Sequence, residues 1–260
     1  MLTFTALPAF NDNYIWLIQD TQRQLCAAVD PGDAQPELNW LADHTEWQLS
    51  DILITHHHRD HVGGVTVLKD ATQARVVGPA RETIPSLDLP VDDGATIEVL
   101  GHTVQVFAVP GHTLGHVVYF CPQPAESPWL LSGDTLFAGG CGRIFEGTAE
   151  QMYTSLSRLA ALPDNTSVYC THEYTLSNLL FAQAVEPNNA ELNQRVTQVR
   201  QLRDEQQITL PSNIALEKRT NPFLRCEQPE VMQAAEQTAK HTLNSSHAVF
   251  GALRSWKDTF

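Results

Sequence analysis

The chain has 260 residues, a formal net charge of −14 and 42% hydrophobic residues. That length suits one large domain, or one domain with a smaller companion, and is enough for a real hydrophobic core. The acidic balance, with no basic run longer than a pair, argues against a nucleic-acid binder, which needs clustered Lys and Arg to displace counterions.

No apolar run approaches the length that spans a bilayer. The opening "MLTFTALPAFNDNY" lacks a charged segment followed by an apolar one, so no signal peptide is read. Five cysteines (Cys26, Cys121, Cys141, Cys170, Cys226), odd in number and without a CxxC, fit a reduced compartment. The expectation is a cytoplasmic protein with no membrane and no nucleic-acid partner, acting as a monomer.

"NYIWLIQD" and "QLCAAVDPGD" read as an opening hairpin of two short apolar strands. "DILIT", "ARVVG", "TIEVL", "TVQVFAVPG", "PWLLSGD" and "TSVYCTHE" follow as further strands, several ending in Gly or Asp. "VGGVTVLKD" reads as a turn leading into a helix. "TAEQMYTSLSRLAALP" is a predicted helix with Thr148 as N-cap, Gln151 at the capping-box position and Pro163 after its end. Past about Tyr174 the texture becomes helical, with apolar residues at helical spacing in "SNLLFAQAVEP", "NAELNQRVTQVRQLRDEQQ" and "PEVMQAAEQTAKH". The expected organisation is a catalytic domain over 1–174 and a helical substrate-binding domain over 175–260.

The chemistry concentrates in "THHHRDH", just beyond the end of the buried strand "DILIT". Layered sheet proteins build sites at the carboxyl ends of strands. Alternate side chains of an extended segment point the same way, so His56 and His58 can converge on one ion while His57 points elsewhere. Once the chain turns, Asp60 and His61 can face a second ion. Three more candidates stand at strand ends: His112 after "VQVFAVPG", Asp134 after "WLLSG" and His172 after "SVYCT". The expected assignment is His56, His58 and His112 on one ion, Asp60, His61 and His172 on the other, and Asp134 bridging the two. A lone histidine after a strand is more often a surface or packing residue, and His44, His102, His241 and His247 are read so. His116 either orients a neighbouring ligand or is structural. Imidazole and carboxylate suit zinc first, with iron or manganese also accommodated. Two such ions about 3.5–4 Å apart can hold a hydroxide nucleophile at neutral pH, which points to hydrolysis. A Gly-x-Ser-x-Gly elbow and a P-loop are absent, and Cys141 and Cys170 are weak candidates for covalent catalysis.

"THHHRDH" with "GHTLGH", "GDTLF" and "THEYT" resembles the metallo-β-lactamase superfamily. "NDNYIWLI", "VDPGD", "GDTLFAGGCGRIFEGTAEQMYTSL", "THEYTLSNLLFA", "NPFLR" and "RSWKD" narrow the resemblance to its glyoxalase II, or hydroxyacylglutathione hydrolase, family over nearly the whole chain. The resemblance implies an α/β fold, a four-layer αββα sandwich followed by a helical domain. It implies hydrolysis of S-D-lactoylglutathione to D-lactate and glutathione in methylglyoxal detoxification. The same seven residues coincide with the family's ligand pattern, with Asp134, Asp60 and His61 at the reacting centre. For glutathione it points to Arg143, Tyr174, Arg254 and Lys257. Two positions depart from the family: Arg143 stands where Lys is common, and Phe145 where some members have a Tyr that can donate a hydrogen bond.

A thioester fits the chemistry independently, since a thiolate leaves without a general acid whereas an amide nitrogen must be protonated. Rivals within the superfamily are a one-iron persulfide dioxygenase and a lactonase. An RNA-processing nuclease shares HxHxDH but sits poorly with the charge of −14. A metal store or sensor has no need of a bridging acid.

Overall fold

The computed structural model describes residues 2–122 and 127–260. The chain forms two compact units, residues 1–108 with 115–133, and residues 109–114 with 134–260.

The first unit opens with three antiparallel strands, β1 (Leu2–Ala9), β2 (Asn13–Asp20) and β3 (Leu25–Val29). The expected hairpin is β2–β3, with Trp16 opposite Val29 and Asp20 opposite Leu25. β1 was not read from the sequence. Helix α1 (Gln35–Asp43) then crosses to β4 (Gln48–Leu53), which pairs parallel with β3. A single turn, α2 (Arg59–Val62), and α3 (Val65–Thr72) lead to β5 (Arg75–Pro79) and β6 (Leu89–Val91), both added in parallel. A second, antiparallel ladder follows: β7 (Thr96–Val99), β8 (His102–Ala108), β9 (Val117–Cys121) and β10 (Trp129–Gly133).

The central strands of the first sheet are buried on both faces. On β2, Ile15 and Leu17 join one core with Val65 and Leu68 of α3, while Trp16 and Ile18 on the opposite face are equally enclosed. A sheet covered on both faces reads as near-continuous apolar strands, which is why "YIWLI" and "CAAV" carry so few polar residues. Buried Tyr119 of β9 donates its hydroxyl to the carbonyl of Ile54 at 2.8 Å, tying the antiparallel ladder to the end of β4.

The second unit holds a small hairpin, β11 (Leu136–Phe137) with β12 (Gly140–Cys141), then α4 (Ala149–Ala160) and β13 (Ser167–Cys170). Helices α5 (Thr175–Val185) and α6 (Ala190–Asp204) come next, then β14 (Ser212–Asn213), paired with β13. α7 (Ile214–Thr220), a 3-10 turn at Pro222–Leu224, α8 (Pro229–Ala239) and α9 (Ser246–Thr259) complete it. The capping box of α4 is formed: Thr148 accepts from the Gln151 amide, and the Gln151 side chain accepts from Thr148. α5 and α6 pack through Leu179, Ala182, Leu192 and Val196. Phe181, Phe223, Phe250 and Trp256 form an aromatic core around α9. Among the described residues no helix is long and apolar enough to cross a membrane.

Candidate metal centre

β4 ends at Leu53, and the chain delivers His56 into the interior of the first unit with no exposed surface. His58 caps α2 in an extended conformation, φ −60° and ψ 146°, and the following turn brings Asp60 and His61 back toward it. His56 Nε2 lies 3.0 Å from His58 Nδ1. His61 Nε2 lies 3.5 Å from Asp60 Oδ2, and its ring centroid is 4.1 Å from that of His56. His57 turns the other way, its Nδ1 3.0 Å from Glu82 Oε2. His116 stacks on His56 at 4.7 Å. Gly133, at φ +48°, leaves room for that stack, because a Cβ there would sit 2.8 Å from the His116 ring and 2.5 Å from Thr55 Oγ1.

In the second unit His112, Asp134 and His172 come together. Asp134 turns its two oxygens to different histidines: Oδ2 is 3.3 Å from His112 Nε2, and Oδ1 is 3.4 Å from His172 Nε2. His112 fixes its tautomer by donating from Nδ1 to the Arg143 carbonyl at 2.8 Å, leaving Nε2 as the lone-pair nitrogen. His172 stacks on Tyr174 at 4.6 Å.

These donor separations fit metal. A tetrahedral ion with bonds of ~2.0–2.1 Å spaces its ligand atoms by roughly 3.3 Å. The four pairs just given span 3.0–3.5 Å. All the donors are imidazole nitrogens or carboxylate oxygens, a set suited to zinc, iron or manganese.

Sequence reading passed over the residues that orient these groups. Asp30, 2% exposed, accepts from the Thr55 amide and the Thr55 hydroxyl at 2.7 Å each, and its Oδ2 lies 3.2 Å from His61 Nδ1. A carboxylate at that distance favours the proton on Nδ1, which leaves Nε2 as the lone-pair nitrogen. Asn13 donates to Asp60 Oδ2 at 3.1 Å, and Thr171 donates to Asp134 Oδ1 at 2.7 Å. The usable signal for Asp30 was its place in "VDPGD" at a strand end, the context that marked Asp134.

A cavity of about 400 Å³ in the second unit is lined by His112, Asp134, Arg143, Tyr174, Arg254 and Lys257, among others. All four residues expected to bind glutathione therefore face one space. Arg143 is open to solvent and Phe145 is 59% exposed. Lys257 donates to the Ser177 carbonyl at 3.2 Å, and burial together with the Arg254 guanidinium lowers its pKa. Arg254 differs from the solvated helix end that its sequence position suggests. It is 7% exposed, lies over the Phe223 ring at 5.3 Å and donates to the Cys141 carbonyl at 2.9 Å. Burial pushes the Cys141 thiol up to about 11 and the Cys170 thiol to about 12, so neither offers a thiolate at neutral pH.

The fold and these His/Asp clusters define a metallohydrolase of the metallo-β-lactamase class. A profile of the metallo-beta-lactamase superfamily matches residues 12–172, and one described as hydroxyacylglutathione hydrolase C-terminus matches residues 173–260. The chain belongs to the hydroxyacylglutathione hydrolase family. Among curated relatives, the hydroxyacylglutathione hydrolase of Pseudomonas putida KT2440 is 62% identical, with all of both chains covered. That of Pseudomonas aeruginosa LESB58 is 59% identical over the same full span. Among solved structures, ETHE1 from Myxococcus xanthus shares the fold at a TM-score of 0.65 and 24% identity, covering 100% of this chain and 99% of its own. TTHA1623, solved in a di-iron-bound form, is 27% identical at a TM-score of 0.57, covering 85% of this chain and 100% of its own.

Proposed function

We propose that this chain hydrolyses S-D-lactoylglutathione and related 2-hydroxyacylglutathiones to D-lactate and glutathione, a step in methylglyoxal detoxification. The observation that carries the reading is Asp134, one carboxylate whose two oxygens face two histidines at the wall of a cation-lined cavity. Family membership supports the same reaction. The proposed ligands are His56, His58 and His112 for one ion, Asp60, His61 and His172 for the other, and Asp134 for both. Zinc is the first expectation, with iron or manganese able to replace it. The functional division runs at 174/175, and the protein acts as a cytoplasmic monomer.

When bound, the ions supply a hydroxide nucleophile at neutral pH and polarise the thioester carbonyl. The chain's own residues do the rest. Asp30, Asn13 and Thr171 hold the ligands in orientation, so little reorganisation is needed at the moment of reaction. Arg143 and Lys257 offer charge to the carboxylates of glutathione, Arg254 adds a fixed positive wall, and Tyr174 lines the path between them. The departing thiolate needs no proton donor.

Purified protein assayed with S-D-lactoylglutathione, alongside elemental analysis, tests this. Two divalent ions per chain and rapid thioester hydrolysis are expected. One iron per chain with oxygen-dependent turnover and no thioesterase activity would overturn it.

A further inference from the structure

Asp258 lies one turn beyond Arg254 on α9. Its Oδ1 accepts from Arg254 Nη2 at 3.1 Å and from Arg143 Nε at 3.2 Å. The second contact joins residues 115 positions apart. The two arginines it holds are unlike. Arg254 is buried and already fixed by the Cys141 carbonyl and the Phe223 ring. Arg143 has a side chain 56% exposed, and its other contact is the Phe145 ring at 6.0 Å.

An exposed arginine with a free stem samples many rotamers, and a ligand that needs one of them must bear that ordering itself. Asp258 grips Arg143 through Nε alone. Among the described residues no group pairs with either terminal Nη of Arg143, and these form the planar fork that meets a carboxylate in bidentate fashion. A carboxylate seated on Nη would have left the fork closed.

We propose that Asp258 is a positioning residue: anchored on the immobile Arg254, it fixes Arg143 so that the Arg143 fork is set in advance for a carboxylate of the glutathione moiety. The inference rests on the glutathione-thioester reading above. It differs from a competing role, in which Asp258 would occupy Arg143 as a rival anion and its removal would tighten binding.

Steady-state kinetics with S-D-lactoylglutathione separate these. Asp258→Asn and Asp258→Ala should raise KM roughly two- to tenfold, the range open to an exposed ion pair, with kcat changed less than KM. The inhibition constant of S-methylglutathione, a thioether that cannot be hydrolysed, should rise by the same factor. Asp258→Glu should recover most of the loss. In an Arg143→Ala background, the Asp258→Asn effect should vanish, because the acid then has nothing to position. Metal content and thermal midpoint should stay near those of the parent, and Asp258→Asn, which keeps the shape of the side chain, covers the case in which alanine unfolds the end of α9. A lower KM in Asp258→Asn overturns the proposal, and so does an undiminished effect in the Arg143→Ala background. If Arg143→Ala and Lys257→Ala both leave KM unchanged, it is the glutathione reading of the cavity that fails, and the proposal with it.

Discussion

Asp134 is the residue that separates a two-ion centre from a pair of unrelated histidines. Asp134→Ala removes both oxygens that face His112 and His172. It should lose metal and nearly all thioesterase activity, while Asp134→Asn keeps one oxygen and partial metal. Full metal content in the alanine variant would refute the bridging role. His57 gives the complementary control. Its Nδ1 is taken by Glu82 at 3.0 Å, so His57→Gln should keep two ions per chain whereas His56→Gln and His58→Gln should not; elemental analysis of the three decides. Lys257→Ala should weaken kcat/KM roughly tenfold, mostly through KM, because a contact far from the reacting carbonyl serves ground state and transition state alike. Arg254→Ala should lower the thermal midpoint as well, since its guanidinium is built into the core; an unchanged midpoint would return it to a purely binding role. The seven ligand candidates were legible because each follows an apolar strand and four share one short loop. Asp30 was not, since an acid beside Pro and Gly also reads as an ordinary turn residue.

Among the elements, the strongest local code was read and several defined by distant partners were not. α4 was visible from its capping box, which satisfies two backbone donors within four residues. β1, β9 and α1 carry no comparable punctuation, and their apolar residues make sense only against the sheets they join. The β11–β12 hairpin is the extreme case. Its turn is held from outside by α7 and the residue that follows it. Glu217, fully buried, accepts from the Gly139 amide at 2.8 Å, and Asn221 donates to the Gly140 carbonyl at 2.9 Å. Arg195 of α6 neutralises Glu217 at 2.6 Å. Glu217→Gln would leave Arg195 as an uncompensated buried charge and should cost ~3–5 kcal/mol. Because the hairpin carries Phe137 and Cys141 of the cavity wall, S-methylglutathione binding should weaken along with stability. A variant that melts like the parent would show the network to be dispensable.

At the scale of the molecule, one buried acid should set how stability responds to pH. Glu37 on α1 is fully enclosed and, among the described residues, takes no hydrogen bond from another residue's side chain or main chain. Burial, reinforced by the nearby Asp33 carboxylate, pushes its pKa from the ordinary 4.5 up to about 8. Between those values the folded chain keeps a proton that the unfolded chain has released. Stability is therefore full below about pH 4.5 and falls as pH rises toward 8, by ~1.4 kcal/mol per unit from this group alone. Glu37→Gln should flatten that slope in denaturant melts at pH 5, 6.5 and 8. An identical slope in the variant would exclude Glu37 as its source. The sequence offered no hint of this acid's burial, because in "QPELNWLAD" it occupies the first helical turn, where carboxylates are usually solvated partners of the helix dipole.

The contact between the Arg143 carbonyl and His112 has a consequence for how this enzyme class can diversify. One residue serves two tasks through chemically separate parts: its main chain sets the tautomer of a proposed metal ligand, and its side chain lines the cavity proposed for the substrate. Any amino acid with a carbonyl in that place performs the first task. The side chain is thus free to drift, lysine for arginine or something neutral, and retune which thioesters are accepted without disturbing the metals. Mutational libraries at position 143 should show substrate preference varying widely while metal stoichiometry stays constant.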